Sequence, residues 1–310
     1  MVAEEGFALK TWPESGVAAA ECSGSLVLFP GALGDAVCLE PAMAHLAADG
    51  PTTLYARGGA AEVAALFPSR PLVRSLDGVE VARLFSPQHD PGTAAWLAGF
   101  ARVVSFTGAS VPEVVERLLA TGRATVAAFP RPPLAMHATD YFLRAVSGDR
   151  GVTAPAPRLL CPSARPPAAE GAALVLLPGS GGPAKRVAID VYSALAARWR
   201  RSGGAVTVVL GPAEDGEDGA WQSLGHVVRP DSIAELATTL CRAAVFLGND
   251  AGPSHVAAAL GLPGVVLYAV TEPGAFGPRG EQVIAVRVLP GVDPGGTIAG
   301  VWAALAGHLP

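Results

Sequence analysis

A chain of 310 residues is long for one domain and comfortable for two, and at 50% hydrophobic and 16% charged it can bury sizeable cores. Its net charge of −5, with no basic face to offset it, argues against a general nucleic-acid binder. The longest apolar run, Val256–Val270, is broken by Gly261, Pro263 and Gly264, so no membrane span is expected.

Residues 1–24 carry Glu4, Glu5 and Glu14 and lack the basic-then-apolar order of a signal peptide. Cys22, Cys38, Cys161 and Cys241 fit no zinc or redox spacing and are expected as reduced thiols of a cytoplasmic enzyme. Ser25–Phe29 predicts a buried strand, Pro30–Asp35 a glycine-rich turn and Ala36–Leu46 an amphipathic helix. Asp35 is expected at the N-cap, where a carboxylate accepts backbone N–H bonds; capping and catalysis are equally open for it at this point. Strands follow at Thr52–Arg57, Leu72–Leu76, Arg102–Phe106 and Ala124–Phe129, with helices near Ala60–Phe67, Thr93–Phe100, Val111–Thr121 and Met136–Val146. Apolar strands alternating with helices indicate a mostly parallel sheet covered on both faces.

Gly148–Gly171 then holds Pro155, Pro157, Pro162, Pro166 and Pro167 and reads as a linker. The domain boundary is placed inside it, giving domains over residues 1–160 and 161–310. The second half repeats the pattern: a strand at Ala173–Leu177, a loop over Pro178–Lys185, and a helix over Asp190–Arg201 with Asp190 as its cap. Strands at Val206–Leu210 and His226–Val228 and a helix over Ser232–Arg242 come next. Val245–Leu247 is then a strand, Gly248–Gly252 a polar turn, and Pro253 opens a helix. Strands at Val265–Tyr268 and Gln282–Val288 and a helix over Thr297–His308 close the chain. Two doubly wound Rossmann-like α/β domains in series are expected to face each other across a cleft.

Three loops at strand ends carry chemistry. Pro30–Asp35 offers a carboxylate. Gly179–Lys185 offers backbone amides, Ser180 and a cation. Gly248–Gly252 leads into a helix N-terminus flanked by Asp250 and His255, a recipe for holding phosphate. Gly179-Ser-Gly-Gly182 does not match the P-loop, and Gly31-Ala-Leu-Gly34 does not match the dinucleotide fingerprint. A cation facing a helix N-terminus suits a diphosphate, and a carboxylate suits removal of a hydroxyl proton.

Four stretches resemble one family. They are Gly31-Ala-Leu-Gly-Asp-Ala-Val-Cys-Leu-Glu-Pro41; His137-Ala-Thr-Asp-Tyr-Phe-Leu143; Pro178-Gly-Ser180 continuing to Lys185-Arg186; and Asn249-Asp-Ala-Gly-Pro-Ser-His255 through Pro263, with Thr271-Glu-Pro273 and Gly277-Pro278. Together they are similar to glycosyltransferase family 9, the lipopolysaccharide heptosyltransferases, which have the two-domain GT-B fold. The resemblance implies an acceptor-binding first domain and a nucleotide-sugar-binding second domain. It makes Asp35 the general base and Lys185 the contact to the donor diphosphate. It puts Asp250 near the donor sugar, Ala251, Gly252 and His255 on the phosphate-holding turn with Ser180 beside it, and Glu214 on the ribose; Ser232 or Ile233 falls near the base.

The implied reaction is inverting transfer of heptose from ADP-heptose to a lipopolysaccharide core or other surface glycan. No metal and no cofactor are expected, and the enzyme would work in the cytoplasm with peripheral contact to the inner membrane and a glycan or lipid-linked glycan as acceptor. Three positions depart from the family pattern: Ala251 where threonine is usual, Pro253 where a larger residue is usual, and Val187-Ala188 where Trp-Pro commonly follows. They leave two alternatives in view, transfer of another nucleotide sugar to a soluble glycan or natural product, and a catalytically weak sugar-nucleotide-binding relative. For His137 the expectation is a packed side chain, and His45 carries no signal.

Overall fold

Short runs of branched apolar residues lose little by adopting the extended backbone and gain by stacking into a sheet buried on both faces. In the computed structural model, which describes residues 9–11, 23–88, 90–132, 134–162, 173–288 and 294–308, these runs build two α/β units that divide between Pro155 and Ala156. Residues 163–171 of the sequence-predicted linker and the acidic N-terminal residues lie outside the described residues.

In the first unit the strands are β1 (Leu9–Thr11), β2 (Ser25–Leu28), β3 (Thr52–Ala56), β4 (Leu72–Ser75), β5 (Arg102–Ser105) and β6 (Ala124–Ala127). They lie in the order β1-β6-β5-β2-β3-β4 and run parallel, except β1, which pairs antiparallel with β6. The helices are α1 (Leu33–Ala47), α2 (Gly58–Ala64), α3 (Val79–Phe85), α4 (Pro91–Ala98), α5 (Pro112–Leu119) and α6 (Ala138–Ser147). Side chains alternate across the sheet, so Leu26, Leu28 and Val103 share one face and pack with Val81, Leu84, Leu97, Val114 and Leu118 from the helices. An aromatic cluster fills another part of the unit: the Phe142 ring of α6 meets Phe29 at 5.5 Å and Phe106 at 5.0 Å, both edge-on.

The second unit contains β7 (Ala173–Leu177), β8 (Ala205–Val209), β9 (His226–Val228), β10 (Val245–Asn249), β11 (Gly264–Tyr268) and β12 (Val283–Arg287). Their order is β12-β11-β10-β7-β8-β9, all parallel. Helices α7 (Ile189–Arg201), α8 (Asp218–Gln222), α9 (Ile233–Cys241), α10 (Gly252–Ala259), α11 (Pro273–Phe276) and α12 (Pro294–Ala306) complete it. Leu174, Leu176, Val245, Leu247, Val265 and Leu267 form the sheet side of its core, covered by Tyr192, Leu195 and Trp199 of α7 and by Val301 and Leu305 of α12.

Both sheets are doubly wound. The strand order turns back between β2 and β5 in the first and between β7 and β10 in the second. In such sheets the crevice at the carboxyl ends of the strands on either side of the reversal is where ligands bind.

Four sequence-level expectations are corrected. Asp35 is not the N-cap: Ala32 takes the extended cap conformation and α1 begins at Leu33, so Asp35 is the third helical residue. Asp190 is likewise not a cap, because Ala188 is, and Asp190 is the second residue of α7. Gly252, not Pro253, is the first residue of α10, with Ala251 as its cap. Cys161 and Cys241 are not free thiols but form a disulfide across 80 positions of sequence, joining the chain just after the division to the last residue of α9.

Candidate functional site

The central feature of the second unit is built at its strand reversal. Strand β7 leads into the turn Pro178–Gly182 and a 3-10 turn, Pro183–Lys185; strand β10 leads into Asp250 and α10. Because β7 and β10 are adjacent, both loops rise from neighbouring strand ends. Lys185 Nζ stands 2.9 Å from Asp250 Oδ2. The same oxygen accepts the Thr271 hydroxyl at 2.7 Å, from the loop after β11. Asp250 is 6% exposed, whereas the Lys185 side chain is 38% exposed, so the carboxylate is fixed and the ammonium can leave it.

Asn249 fastens this geometry. It is fully buried at the end of β10, its Nδ2 donates to the Pro178 carbonyl at 2.5 Å, and its Oδ1 accepts the Tyr192 hydroxyl at 2.8 Å and the Val187 N–H at 3.4 Å. Its own carbonyl accepts the Ser254 hydroxyl at 2.7 Å. One amide therefore ties the loop that carries Lys185 to the turn that carries Asp250 and to α7. Burial raises the Tyr192 phenol far above its ordinary pKa, so it stays a donor. At Gly248 any Cβ would come within 2.4 Å of Ser254 Oγ, so only glycine lets this turn close.

The loop after β8 is held from two sides. Glu214 is 2% exposed; its Oε1 accepts Arg186 Nη2 at 2.9 Å and its Oε2 accepts the Gly211 N–H at 2.9 Å. Arg186 also donates to Glu217 at 2.8 Å and to the Ala213 carbonyl. Gly179 belongs to the same arrangement, because a Cβ there would stand 2.7 Å from Glu214 Oε2. Arg229 clamps the loop from below, bonding the carbonyls of Gly211 at 2.9 Å and Glu214 at 2.8 Å and gripping Asp218 at 2.9 and 2.7 Å. That grip holds the Asp218 carboxyl below the usual carboxylate range. A groove of about 440 Å³ opens beside this network, lined by Pro178, Arg186, Glu214, Glu217, Ala220 and Trp221.

The remaining predicted residues of this unit fall as follows. Ser180 is 6% exposed and its Oγ accepts the Gly182 N–H at 3.4 Å. Ala251 caps α10 with extended backbone and no side-chain acceptor. Gly252 opens the helix; Pro253 has no N–H, and the N–H groups of Ser254 and His255 turn back to the Ala251 carbonyl at 3.0 and 3.4 Å. With Pro253 lacking an N–H and the next two turned back, α10 offers fewer donors than the sequence suggests. His255 is 7% exposed and lies in the first turn of α10. Ser232 caps α9, accepting the Glu235 N–H at 3.2 Å, and Ile233 is the first residue of that helix.

In the first unit, Asp35 stands at the carboxyl end of β2, beside the strand reversal. Its Oδ2 accepts the Ala32 N–H at 3.0 Å, the returning half of a capping box, which aims the carboxylate across the helix mouth. A pocket of about 460 Å³ is lined by Arg57, Leu76, Asp77, Val81, Phe85 and Thr107. Arg57 and Thr107 follow β3 and β5, the two strands that flank β2, so the pocket shares the edge on which Asp35 sits. His137 caps α6, its Nδ1 accepting the Thr139 N–H at 3.1 Å. Among the described residues no group of three or more His, Cys, Asp or Glu is arranged to hold a metal ion, and no helix is long and apolar enough to cross a membrane.

Comparison with known proteins decides the family. The sequence model of glycosyltransferase family 9 (heptosyltransferase) matches residues 133–292, from the approach to α6 through β12. The chain belongs to glycosyltransferase family 9. It is therefore a glycosyltransferase of heptosyltransferase type, and Lys185, Glu214, Asp250 and Thr271 all lie inside the matched residues, whereas Asp35 lies outside them. The fold is GT-B. A family 9 glycosyltransferase from Veillonella parvula DSM 2008 is similar at a TM-score of 0.66 and 16% identity, covering 87% of this chain and 88% of that one. E. coli heptosyltransferase WaaC with ADP gives 0.65 and 17%, covering 90% and 99%. E. coli ADP-heptose lps heptosyltransferase II gives 0.65 and 17%, covering 92% and 99%. No curated protein sequence matches the chain.

Sequence reasoning named Lys185 and Asp250 but missed that they pair, and it missed Asn249, Arg186 and Arg229 as the residues that fix the loops. A signal for Asn249 was present: it is the one amide in the apolar run Val245-Phe-Leu-Gly-Asn249, and a polar group buried in a strand must find partners.

Proposed function

We propose that this family 9 enzyme transfers heptose from ADP-heptose, with inversion, to a lipopolysaccharide core or related surface glycan on the cytoplasmic side of the membrane. The observation that carries the reading is the half-exposed ammonium of Lys185 on the buried carboxylate of Asp250, beside the start of α10. A donor diphosphate laid across that spot draws Lys185 from Asp250 onto the phosphate oxygens. Asp250 then faces the donor sugar. Glu214 is fastened by Arg186 and by its own turn, and its remaining lone pairs accept ribose hydroxyls.

In the reaction an acceptor hydroxyl forms a bond to the anomeric carbon as the bond from that carbon to the diphosphate oxygen breaks. The hydroxyl proton passes to Asp35, and the nucleoside diphosphate departs with both bonding electrons. Lys185 and the helix amides stabilise the charge that builds on it. The pocket lined by Arg57, Asp77 and Thr107 offers the acceptor a place on the Asp35 edge. This assignment takes no step through a metal.

The test is thermal unfolding of the protein with ADP, UDP or GDP and their sugar conjugates. A ligand at a hundredfold excess over its dissociation constant stabilises the native state by about 2.7 kcal/mol. A response to ADP that is lost in Lys185→Ala supports the reading. A preference for UDP or GDP removes heptose as the sugar, and no response to any nucleotide overturns the diphosphate site.

A further inference from the structure

Thr271 lies outside the phosphate-holding turn, yet its hydroxyl and the Lys185 ammonium share a single oxygen, Asp250 Oδ2, at 2.7 and 2.9 Å. The three residues come from loops after three adjacent strands, β11, β7 and β10. Next to Thr271, Glu272 pairs with Arg287 at the end of β12. Asp250 is buried and Lys185 is half-exposed, so the ammonium can move away while the carboxylate stays in place.

We infer that Thr271 is a positioning residue for the donor diphosphate: it sets how tightly Asp250 holds Lys185 and keeps Asp250 hydrogen-bonded once Lys185 has left. The inference rests on the reading of Lys185 as the diphosphate contact. A carboxylate oxygen that already accepts a hydroxyl has less charge to offer a second donor. With the hydroxyl removed, Asp250 binds the ammonium more strongly, and releasing it leaves a buried carboxylate with one partner fewer. Both effects act in one direction, against transfer of Lys185 to the diphosphate. Thr271 touches neither donor nor acceptor in this scheme; it acts through Asp250.

The experiment measures ADP affinity by calorimetric titration for the wild type, Thr271→Ser, Thr271→Val, Asp250→Asn and the Asp250→Asn/Thr271→Val double variant. Losing one hydrogen bond to a charged group weakens ADP binding by roughly tenfold in Thr271→Val, whereas Thr271→Ser, which keeps the hydroxyl, stays within about twofold of wild type. In the Asp250→Asn background the valine substitution changes the affinity by less than about twofold, because the charge it acts through is gone. Equal losses in both backgrounds make Thr271 a packing residue and overturn the inference. So does a Thr271→Val protein that binds ADP like wild type. A wild type that binds no nucleoside diphosphate overturns the diphosphate reading itself, a result distinct from either of these.

Discussion

Asn249→Ala is the most informative single change to the scaffold. The alanine removes the acceptor of the fully buried Tyr192 hydroxyl and the donor to the Pro178 carbonyl, two bonds of 2.8 and 2.5 Å with no solvent beside the side chain. An orphaned buried polar group destabilises by about 1–3 kcal/mol, so two of them, with partial relaxation into the vacated volume, give about 3 kcal/mol. For a unit of this size each kcal/mol lowers Tm by about 2–4 °C, so the unfolding transition of the second unit should fall by about 6–12 °C. Differential scanning calorimetry reads that shift. Tryptophan fluorescence assigns it, because Trp199 and Trp221 are both buried in this unit and Trp221 packs edge-on against Tyr192 at 5.6 Å. The double variant Asn249→Ala/Tyr192→Phe isolates the cause: with the orphaned hydroxyl gone it should be less destabilised than the sum of the singles by about 1 kcal/mol. A single variant within about 2 °C of wild type, which is under about 1 kcal/mol at this size, would refute the reasoning. Strict additivity of the pair would do the same.

Three further outcomes follow from the geometry. Asp35→Asn keeps an oxygen for the Ala32 N–H, so helix α1 and ADP affinity should persist while kcat falls by roughly 10²–10⁴; a kcat within about threefold of wild type removes Asp35 as base. Cys161 and Cys241 should resist alkylation in denaturant until a reductant is added, and breaking a link that spans 80 residues should lower stability by up to about 4.5 kcal/mol in the chain-entropy account; alkylation of both without reductant excludes the bridge. Burial pushes the Tyr141 phenol, which donates to the Ala128 carbonyl at 2.6 Å, up to about 12 from 10.0. A raised folded value means the native state keeps a proton the unfolded chain has released, so its contribution is intact below pH 10.0 and is lost as pH rises towards 12. Urea midpoints measured across that window should decline in wild type and decline less in Tyr141→Phe; parallel curves would exclude the effect.

The alternation of apolar runs and helices places the parallel strands β2 to β12 and the doubly wound class, because a strand buried on both faces writes itself as a continuous branched apolar stretch; β1, a three-residue antiparallel strand at the edge, is missed. Helices α8 and α11 are not legible, since five and four residues carry too little periodicity to stand out; α3, no shorter than α2, is missed as well. The cap of α1 was misplaced by three residues because the deciding fact, the extended backbone of Ala32, leaves no mark in residue type. The Cys161–Cys241 bridge was missed for a different reason: spacing rules read local motifs, and this pair meets only after α9 has folded. Within the site, Lys185 and Asp250 were found as residues but not as partners. The distance between them depends on the pairing of β7 with β10, which is a tertiary fact.

In the proposed function that pairing also decides which group carries the anion. The sequence around Gly252–His255 suggests a helix N-terminus rich in free amides, yet Pro253 has none and two of the next N–H groups bond back to Ala251. With Ala251 in place of a side-chain acceptor at the cap, α10 contributes a dipole and few directed donors. In the proposed function, binding of a doubly charged group therefore leans on Lys185, which stands on a loop set by Asn249 and pairs with Asp250. Arg186, one residue on, gives its two Nη groups to Glu214, Glu217 and Ala213, so it fixes the loop and leaves the lysine as the more exposed of the two cations. The division of labour between two neighbouring basic residues, one anchored in a network and one half-exposed on a single carboxylate, is what lets a rigid sheet edge present a mobile charge.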